Sequence, residues 1–521
     1  MRSVTTGLGM VLLIAGITTS SAAVDSSAII FDDTKIHEYH LHFYYEDWQD
    51  SLEYYKDNGE QYIPARFAYV NGNDSVILDS VGVRYKGNSS YSLSGNSSRK
   101  PFKFKFDEYR SQNFFSVGKL NFSNAVKDPT QMREKLAYDI IGEYMPAPRA
   151  AFAKIYIDGS MIGLYTQVEQ VDKKFLKRKF PSNKYNLYKS SDNGAPLNYI
   201  TANQSDYAAF YELQTNEKQN DWSALVTLLD KLNNTDSSEF VSVVGSMLDI
   251  DNCLQYLAFN MVLSNFDSYT GSGRNYYLYD DSASGAFKLI PWDLNFAFGI
   301  YSNGWNVTTV DAAVTSNFEQ RPLMKKLLTN DSLKQVYFSH IRQMIDGPAS
   351  LSAVSEKIDN YKALIEPVVA VDSNSLTTYA QFLTNVDNDI SVAEGPGKVT
   401  IPGLRSFLSK RIENLNKQLD TYLPVNQPRI TVKHRKSIAV QVSGTAAETI
   451  LSIRNYMSGN NPAIISVFNA QGAKVFSFNN NESGNGEYIM TKRVPKRLAN
   501  GFYTIKVNTG SEHQSAHFVI W

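Results

Sequence analysis

Alternation of apolar and polar residues marks the first part of this chain as rich in β-strands. Residues 102–106 alternate phenylalanine with lysine, the pattern of a strand with one buried face. Strand patterns also occupy residues 76–78 and 81–85, and residues 152–169 have the pattern of a hairpin. Residues 86–98 are mostly small and polar, which predicts a flexible connection. The beginning of the chain therefore predicts an antiparallel sheet.

Helical periodicity replaces this alternation further along the chain. Apolar residues recur at helical spacing, as at Met132, Leu136 and Ile140. Helices are predicted in residues 129–144, 204–265 and 320–421, strands in residues 275–279 and 287–290, and further short strands in residues 430–521. The pattern predicts an α+β body with a helical second half, followed by a small all-β sandwich.

Charge divides the chain at the same place as the secondary-structure pattern. The 521 residues carry a net charge of −1, but residues 426–521 contain eleven Lys and Arg against four Glu and no Asp. These basic residues alternate with apolar ones instead of clustering on a helix, so no nucleic-acid partner is predicted. The polar, proline-bearing residues 424–428 are interpreted as a linker between a domain at residues 24–425 and a domain at residues 426–521.

The N-terminus has the features of a secretory signal peptide in residues 1–23. Arg2 is basic, residues 8–17 are mostly apolar but too few to span a bilayer, and small residues precede a cleavage position after Ala23. No later stretch is long and apolar enough to predict a transmembrane segment. The sequence therefore predicts a protein that is secreted or held at the cell surface. Cys253 is the single cysteine, so no disulfide within the chain is expected.

Three oxygen-bearing side chains lie at the ends of consecutive predicted elements. Asp267 ends an apolar helix, Asn275 precedes a strand, and Asp293 follows the next strand. A hairpin between the two strands would bring these side chains together, and their oxygens suit a hard divalent cation such as Mg²⁺. Phosphoryl transfer needs such a metal clamp, a carboxylate for the acceptor hydroxyl and a lysine on the phosphates. The alternative is that both aspartates only stabilise turns.

Candidate phosphate-binding residues lie in the strand-rich part of the chain. Lys86, Ser89 and Ser90 belong to a glycine- and serine-containing segment that can present backbone N–H groups to an anion. This segment matches neither the P-loop nor the GxGxxG pattern, so as a motif it is weak.

Two lysines compete for the role of phosphate ligand. Lys103 and Lys105 share the polar face of one predicted strand, and either could reach a phosphate and pair with a helix carboxylate such as Glu134. The alternative is a solvated lysine stripe on an edge strand.

Other enzyme chemistries have less support in the sequence. It contains no His and Cys cluster at zinc spacing and no Gly-x-Ser-x-Gly segment. Glycoside hydrolysis needs only two carboxylates, so a pair formed by Asp267 and Glu169 stays open as a carbohydrate-active alternative.

Several segments, taken in order, resemble the spore-coat protein H (CotH) kinase-like family. The resemblance covers about residues 36–420, and its strength comes from the order of motifs that are modest singly. The segments are residues 82–90, 100–106, 132–139, 156–159, 163–165 with Glu169, 265–267, 275–277 and 291–295.

The resemblance implies a divergent protein-kinase-like domain that binds ATP with Mg²⁺ or a related cation and phosphorylates secreted or coat proteins. By motif position, Asp267 would be the catalytic carboxylate, and Asp293 and Asn275 would be metal ligands. Lys103 would contact phosphate, with Glu134 as its partner. Many relatives have a second acid where this chain has Asn295, which weakens the case for two metal ions.

The tail resembles the sorting domains of type IX secretion. The similar segments are residues 465–475 and 498–507. The resemblance implies a small β-sandwich that is recognised by the secretion machinery during export. The alternative is a generic adhesive or spacer sandwich.

Two principal readings of function follow from the sequence. The first is an exported protein kinase that uses ATP and Mg²⁺ to phosphorylate hydroxyl side chains of secreted or surface proteins. The second is a non-catalytic binding protein, an adhesin or coat component, on a kinase-like scaffold. Nucleotide binding would distinguish them.

Overall fold

The fold is seen in a computed structural model. It describes residues 25–423 apart from positions 73, 315, 317, 395 and 396, together with most of the strand residues between 439 and 520. The predicted signal peptide and the predicted linker lie outside the described residues. No helix among those described is long and apolar enough to cross a membrane.

The first part of the chain forms a closed barrel of seven strands, joined in the order β1-β2-β3-β4-β5-β7-β6. The strands are β1 His37–Phe43, β2 Ile63–Asn71, β3 Asp74–Tyr85, β4 Phe102–Lys105, β5 Lys119–Ser123, β6 Ala150–Ile157 and β7 Ser160–Glu169. Three helices connect them: α1 Trp48–Asp57, α2 Ser89–Leu93 and α3 Arg133–Gly142.

Closure of the barrel corrects the prediction of a purely antiparallel sheet. Every other neighbouring pair in the barrel is antiparallel, but β1 runs parallel to β6, with His37 opposite Ala153 and Leu41 opposite Ile157. This pairing joins residues more than 100 positions apart, so local alternation carries no information about it.

Aromatic side chains fill the barrel. The inward-facing Phe67, Phe104 and Phe114 are fully buried, and the Phe67 ring meets the other two edge-on. A barrel of this size has room for side chains but not for an open channel. Lys103 and Lys105 point to the outer face, as the Phe-Lys alternation predicts.

The connection between β3 and β4 is anchored, whereas the sequence predicted a flexible segment. It contains α2, and the Lys100 ammonium both bonds the carbonyl of Gly95 and lies 4.5 Å from the centroid of the Tyr91 ring. Gly87 has φ 76°, and a Cβ there would collide with Ser90 Oγ. A residue with a side chain would therefore strain this turn.

A second sheet, with strand order β11-β10-β8-β9, follows the barrel. Its strands are β8 Leu187–Ser190, β9 Tyr211–Leu213, β10 Tyr276–Asp281 and β11 Ala286–Pro291. The helices in this region are α4 Lys173–Lys179, α5 Ser223–Asn234, α6 Phe240–Val244 and α7 Ile250–Val262. The short β9 is the one strand in residues 204–265, where the sequence predicted mainly helix.

Five helices complete the body: α8 Pro322–Leu328, α9 Asp331–Asp346, α10 Leu351–Val369, α11 Tyr379–Asn385 and α12 Leu404–Tyr422. The hairpin β12 Ile390–Glu394 with β13 Gly397–Ile401 interrupts this helical region. One continuous apolar core joins the helices to α3 and to the outer face of β6. The predicted α+β class is confirmed.

The described part of the tail is all β, as predicted. Its strands are β14 Ala439–Thr445, β15 Glu448–Met457, β16 Ala463–Asn469, β17 Lys474–Asn480, β18 Gly486–Val494, β19 Gly501–Asn508 and β20 His513–Ile520. They form the sheets β14-β15-β18 and β17-β16-β19-β20. Leu451 from the first sheet and Ile465 and Ile505 from the second belong to one buried cluster, so the two sheets pack as a sandwich.

A buried arginine ties the barrel to the helical half. Arg99 is 1% exposed, and its Nη1 lies 2.9 Å from Asp372 Oδ2 in the segment after α10. The same guanidinium bonds the Leu164 carbonyl of β7 and Gln131 Oε1. A buried charge of this kind is tolerated only when it is paired and hydrogen-bonded.

We expect Asp372→Asn to lower the free energy of unfolding by about 3–5 kcal/mol, because it leaves the buried Arg99 without its counter-charge. Urea denaturation followed by tryptophan fluorescence measures the change. The matched control is Asp359→Asn, which removes an exposed partner of Arg405 and should cost about 1 kcal/mol or less. Equal losses for both variants would contradict the role assigned to the buried pair.

Candidate functional site

The antiparallel hairpin of β10 and β11 brings two predicted site residues together. Tyr276 pairs with Pro291, so Asn275 and Asp293 flank the same end of the hairpin. The Trp292 N–H donates to the Asn275 carbonyl at 3.2 Å. Two residues that are distant in sequence therefore become neighbours.

Asp267 joins this hairpin end from the turn after α7. Asn275 Nδ2 donates to the Asp267 carbonyl at 2.6 Å and to Asp267 Oδ2 at 3.1 Å. The convergence of Asp267, Asn275 and Asp293 that the sequence suggested is present in the structure.

Helix α3 supplies the third carboxylate. Glu134 is almost fully buried, and its pKa responds to the charge of Asp293. One turn later on the helix, the Tyr138 hydroxyl accepts a hydrogen bond of 3.0 Å from the Asp293 N–H. Tyr138 therefore ties α3 to the end of β11.

The backbone at this site is in the left-handed region. Asn275 has φ 59° and Asp293 has φ 52°. Non-glycine residues adopt this region at an energetic cost, and such positions concentrate at functional sites. The strain supports the interpretation that these two side chains are held in place for a function.

Burial and electrostatic repulsion raise the pKa values of the Asp267 and Glu134 carboxylates. Burial, with the Asp293 charge as the next cause, raises the pKa of Asp267 to about 6. The same two causes raise the pKa of Glu134 well above its usual range, against the opposing effects of Lys86 and a hydrogen bond from Ser123. Crowded carboxylates of this kind favour a cation between them.

Two basic side chains act on these carboxylates through their charges, Lys86 on Glu134 and Arg274 on Asp267. Burial, followed by the charges of Arg84, Lys119, Lys86 and Lys189, holds the pKa of Lys103 well below its usual range. The described part of the chain gives the Lys103 ammonium no hydrogen bond or ion pair. Such a lysine is suited to an anionic ligand.

The structure distinguishes the two lysines that the sequence left equivalent. The Lys105 ammonium is paired with the Glu108 carboxylate and lies 6.0 Å from the Tyr62 ring. Lys103 is therefore the lysine of this strand that is left for a ligand. The expected pair between Lys103 and Glu134 does not form, and Lys86 is the lysine whose charge acts on Glu134.

The segment around α2 contributes the remaining candidates. Lys86 lies 5.7 Å from the centroid of the Trp292 ring, which connects this segment to the carboxylate cluster. Ser89 and Ser90 form the first turn of α2. Ser89 is exposed, and Ser90 is partly buried.

The donor set fits a divalent cation that also takes ligands from a bound phosphate. No group of three His, Cys, Asp or Glu side chains is placed to hold a metal among the residues that the structure describes. Mg²⁺ in nucleotide sites is bound through one or two carboxylates, with phosphate oxygens and waters completing the octahedron. The Asp293 carboxylate has no hydrogen bond within the described residues and is available for that role.

Glu169 does not form the carboxylate pair that a glycosidase would need. Its oxygens are held by Arg149, at 2.8 Å, and by Arg178. Asp267 interacts instead with Asp293, Ser272, Arg274 and Asn275.

Sequence reasoning missed Tyr138 and Trp292 as parts of this site. Tyr138 occupies an apolar position of a helical pattern, which predicts a core residue. Its contact with Asp293 joins residues 155 positions apart, so the local pattern does not indicate it. Trp292 adjoins Asp293 in sequence, but nothing local indicates its contact with Lys86.

Three comparisons relate the chain to known proteins. The family model described as "CotH kinase protein" matches residues 83–424. A curated relative, "Inner spore coat protein H" of Bacillus subtilis (strain 168), is 25% identical over 270 residues, covering 51% of this chain and 72% of that protein. A solved structure of Parabacteroides merdae β-glucuronidase with glycerol in its active site is 15% identical, with a TM-score of 0.14. It covers 16% of this chain and 13% of that protein, which is too little to bear on the fold.

The raised pKa of Asp267 predicts a pH-dependent effect of Asp267→Asn. Above pH 6 the folded protein must hold an ionised carboxylate in a place that disfavours it, and this cost disappears as the pH falls through 6 toward 3.8. The substitution should therefore raise the unfolding midpoint by about 2–4 °C at pH 8 and by much less at pH 4.5. Thermal denaturation at both pH values measures the difference.

The control for this experiment is Asp230→Asn, at an exposed position. A hydrogen bond from Asn234, followed by one from Lys231, lowers the pKa of Asp230, so its ionised form stabilises the folded state at pH 8. Its substitution should give a small change of the opposite sign. A midpoint change for Asp267→Asn that is equal at the two pH values would contradict the assignment.

Proposed function

The chain belongs to the CotH kinase protein family, since the family model spans residues 83–424, and we propose that it is an exported protein kinase. In this proposal it transfers the γ-phosphoryl group of ATP to hydroxyl side chains of secreted or surface proteins. The observation that carries the proposal is the cluster of the crowded carboxylates Asp267, Asp293 and Glu134 with Lys86, whose charge acts on Glu134 and also on Lys103. The kinase-like scaffold implied by the sequence resemblance is part of the same proposal.

Lys103 and Lys86 would bind the phosphates. The Lys86 charge acts on both Glu134 and Lys103, and Lys103 has no hydrogen bond or ion pair among the described residues. A triphosphate would supply the negative charge that this cluster lacks. Ser89 and Ser90 follow Lys86 in the same segment, at the start of α2, and could add hydrogen bonds to the triphosphate.

Asp293 and Asn275 would hold the divalent cation. When bound, ATP and its cation supply the phosphoryl group and neutralise charge that develops during transfer. The hydrogen bonds from Asn275 Nδ2 to Asp267 orient the Asn275 side chain before a cation binds. Glu134, with its raised pKa, would lose its proton as positive charge arrives.

Asp267 would orient the acceptor hydroxyl and take its proton. Its pKa of about 6 leaves it ionised at neutral pH but close enough to that pH to act as a base. The hydrogen bond of 3.1 Å from Asn275 Nδ2 holds the Asp267 carboxylate beside Asn275. The hydroxyl oxygen forms the new bond to phosphorus while the bond to the ADP oxygen breaks.

The proposed location is outside the cytoplasm. The named relative is an inner spore coat protein, and the N-terminal pattern of this chain predicts export. The all-β tail would be recognised by a secretion machinery, as its resemblance to sorting domains implies. Exported or surface proteins are then the partners that the site meets.

A non-catalytic role as a surface binding protein or coat component is the alternative. The name of the relative describes a coat protein and not an activity. A protein can keep a kinase-like fold after its catalytic activity is lost. Nucleotide binding distinguishes the two functions, since a coat component has no need of ATP.

We expect the full chain to bind ATP in the presence of Mg²⁺, and Asp293→Asn to weaken that binding by about tenfold or more, because a charged cation ligand is lost. Titration calorimetry with and without Mg²⁺ measures both. Asp57→Asn, an exposed aspartate at the end of α1, is the matched control and should bind as the unsubstituted chain does. Absence of ATP binding by the folded chain would reject the kinase and favour the coat component.

We expect Asp267→Asn to separate binding from catalysis. The affinity for ATP with Mg²⁺ should change by about threefold or less, whereas the transfer rate should fall by about 100-fold or more, since the base is lost. Transfer of γ-labelled phosphate from ATP to a mixture of exported proteins measures the rate. A variant that still transfers phosphate at the original rate would show that Asp267 is not the base.

A further inference from the structure

A polar cavity of about 220 Å³ lies beside α3. Phe31, Pro148 and Ala150 form part of its apolar lining, and its charged lining consists of Asp33, Lys135, Asp139, Arg149 and Lys179. Sites for drug-sized ligands begin at about 300 Å³, so this cavity fits a smaller molecule.

Lys179 is the charged group of this cavity that lacks a partner. It lies at the end of α4, and the described residues offer its ammonium no hydrogen bond or ion pair. Burial, followed by the charge of Arg178, lowers its pKa, and Arg149 adds to the repulsion. Glu169 opposes this effect, but its carboxylate is already shared by the two arginines.

The acidic residues of the cavity are already engaged. Asp139 accepts two hydrogen bonds from Lys135 Nζ, at 2.5 and 2.7 Å, and a third from the Tyr361 hydroxyl. Asp33 lies 3.2 Å from the same ammonium. Neither carboxylate is left to neutralise Lys179.

We propose that this cavity binds a small oxyanion, of the size and charge of inorganic phosphate, with Lys179 as its principal ligand. The anion supplies the counter-charge that Lys179 lacks, and the Arg149 charge at the cavity wall adds long-range attraction. Phosphate and a small carboxylate share this chemistry.

The cavity is connected to the candidate catalytic site through Tyr138. This residue lines the cavity, and its hydroxyl accepts the hydrogen bond from the Asp293 N–H. Lys135 and Asp139, which also line the cavity, lie on the helix that carries Glu134. An anion in the cavity would therefore change the position of groups at the cation site, and this part of the inference rests on the proposed function.

Anion binding is tested on the full chain without nucleotide. Calorimetric titration with inorganic phosphate, against chloride at equal ionic strength, should show binding that weakens about tenfold or more in Lys179→Gln. Lys179→Arg should retain it. Lys177→Gln, which removes an exposed charge from the same helix, is the matched control and should bind phosphate as the unsubstituted chain does. A parallel titration with acetate shows whether phosphate or carboxylate is preferred.

The variant Lys103→Gln distinguishes phosphate bound at the proposed catalytic lysines from phosphate bound in the cavity. It should leave binding in the cavity intact. Loss of phosphate binding in Lys103→Gln but not in Lys179→Gln would overturn the proposal, as would absence of binding by the folded chain.

The coupling between the cavity and the candidate catalytic site is tested by the affinity for ATP with Mg²⁺. Phosphate should change this affinity by about threefold or more in the unsubstituted chain but not in Lys179→Gln or Tyr138→Phe. An equal change in all three proteins would overturn the coupling. Failure of ATP to bind would reject the proposed kinase function but not the anion site, because the phosphate titration needs no nucleotide.

Discussion

Helix α3 buries three consecutive charged residues between the barrel and the helical half, and this constraint organises the molecule. Arg133, Glu134 and Lys135 are each less than a tenth exposed. Two of them are neutralised within the chain, since Arg133 pairs with Asp128 and Lys135 with Asp139. Glu134 is the exception, because its strongest electrostatic neighbour is another carboxylate. Burial and this repulsion make the ionised form of Glu134 costly, despite the Lys86 charge and the hydrogen bond from Ser123, and a bound cation would reduce that cost.

The buried arginines fix the position of α3 relative to the elements that carry the candidate catalytic residues. Arg133 also donates to Asn385 Oδ1 at 3.0 Å, which ties α3 to α11. Arg411 of α12 donates to the Met261 carbonyl of α7 at 3.0 Å, and α7 leads directly to Asp267. Together with the pair of Arg99 and Asp372, these contacts connect helices that are far apart in sequence. The site can therefore keep strained backbone at Asn275 and Asp293, since the surrounding structure determines their positions.

The alternation and helical periodicity of the sequence were sufficient to predict the fold class and most of the strands and helices. Each pattern reflects which side of an element faces the core. The strand predicted at residues 102–106 has the expected faces along β4, and the hairpin predicted at residues 152–169 is formed by β6 and β7. The hairpin ends also placed Asp267, Asn275 and Asp293 together, since strand pairing of neighbours is local information. The parallel pairing of β1 with β6 was not accessible, because it joins distant segments.

By itself, the sequence determined the α+β class, the all-β tail and the family, and it suggested the residue types of the proposed cation and phosphate site. Only the tertiary structure decided how those residues act. It paired Lys105 with Glu108 and gave Lys103 no ion pair with any described residue, although the two are equivalent in the strand pattern. It placed Lys86, rather than Lys103, where its charge acts on Glu134. The physical reason is that electrostatic partnership depends on distance and burial, which the fold sets, whereas patterning depends only on which face of an element is apolar.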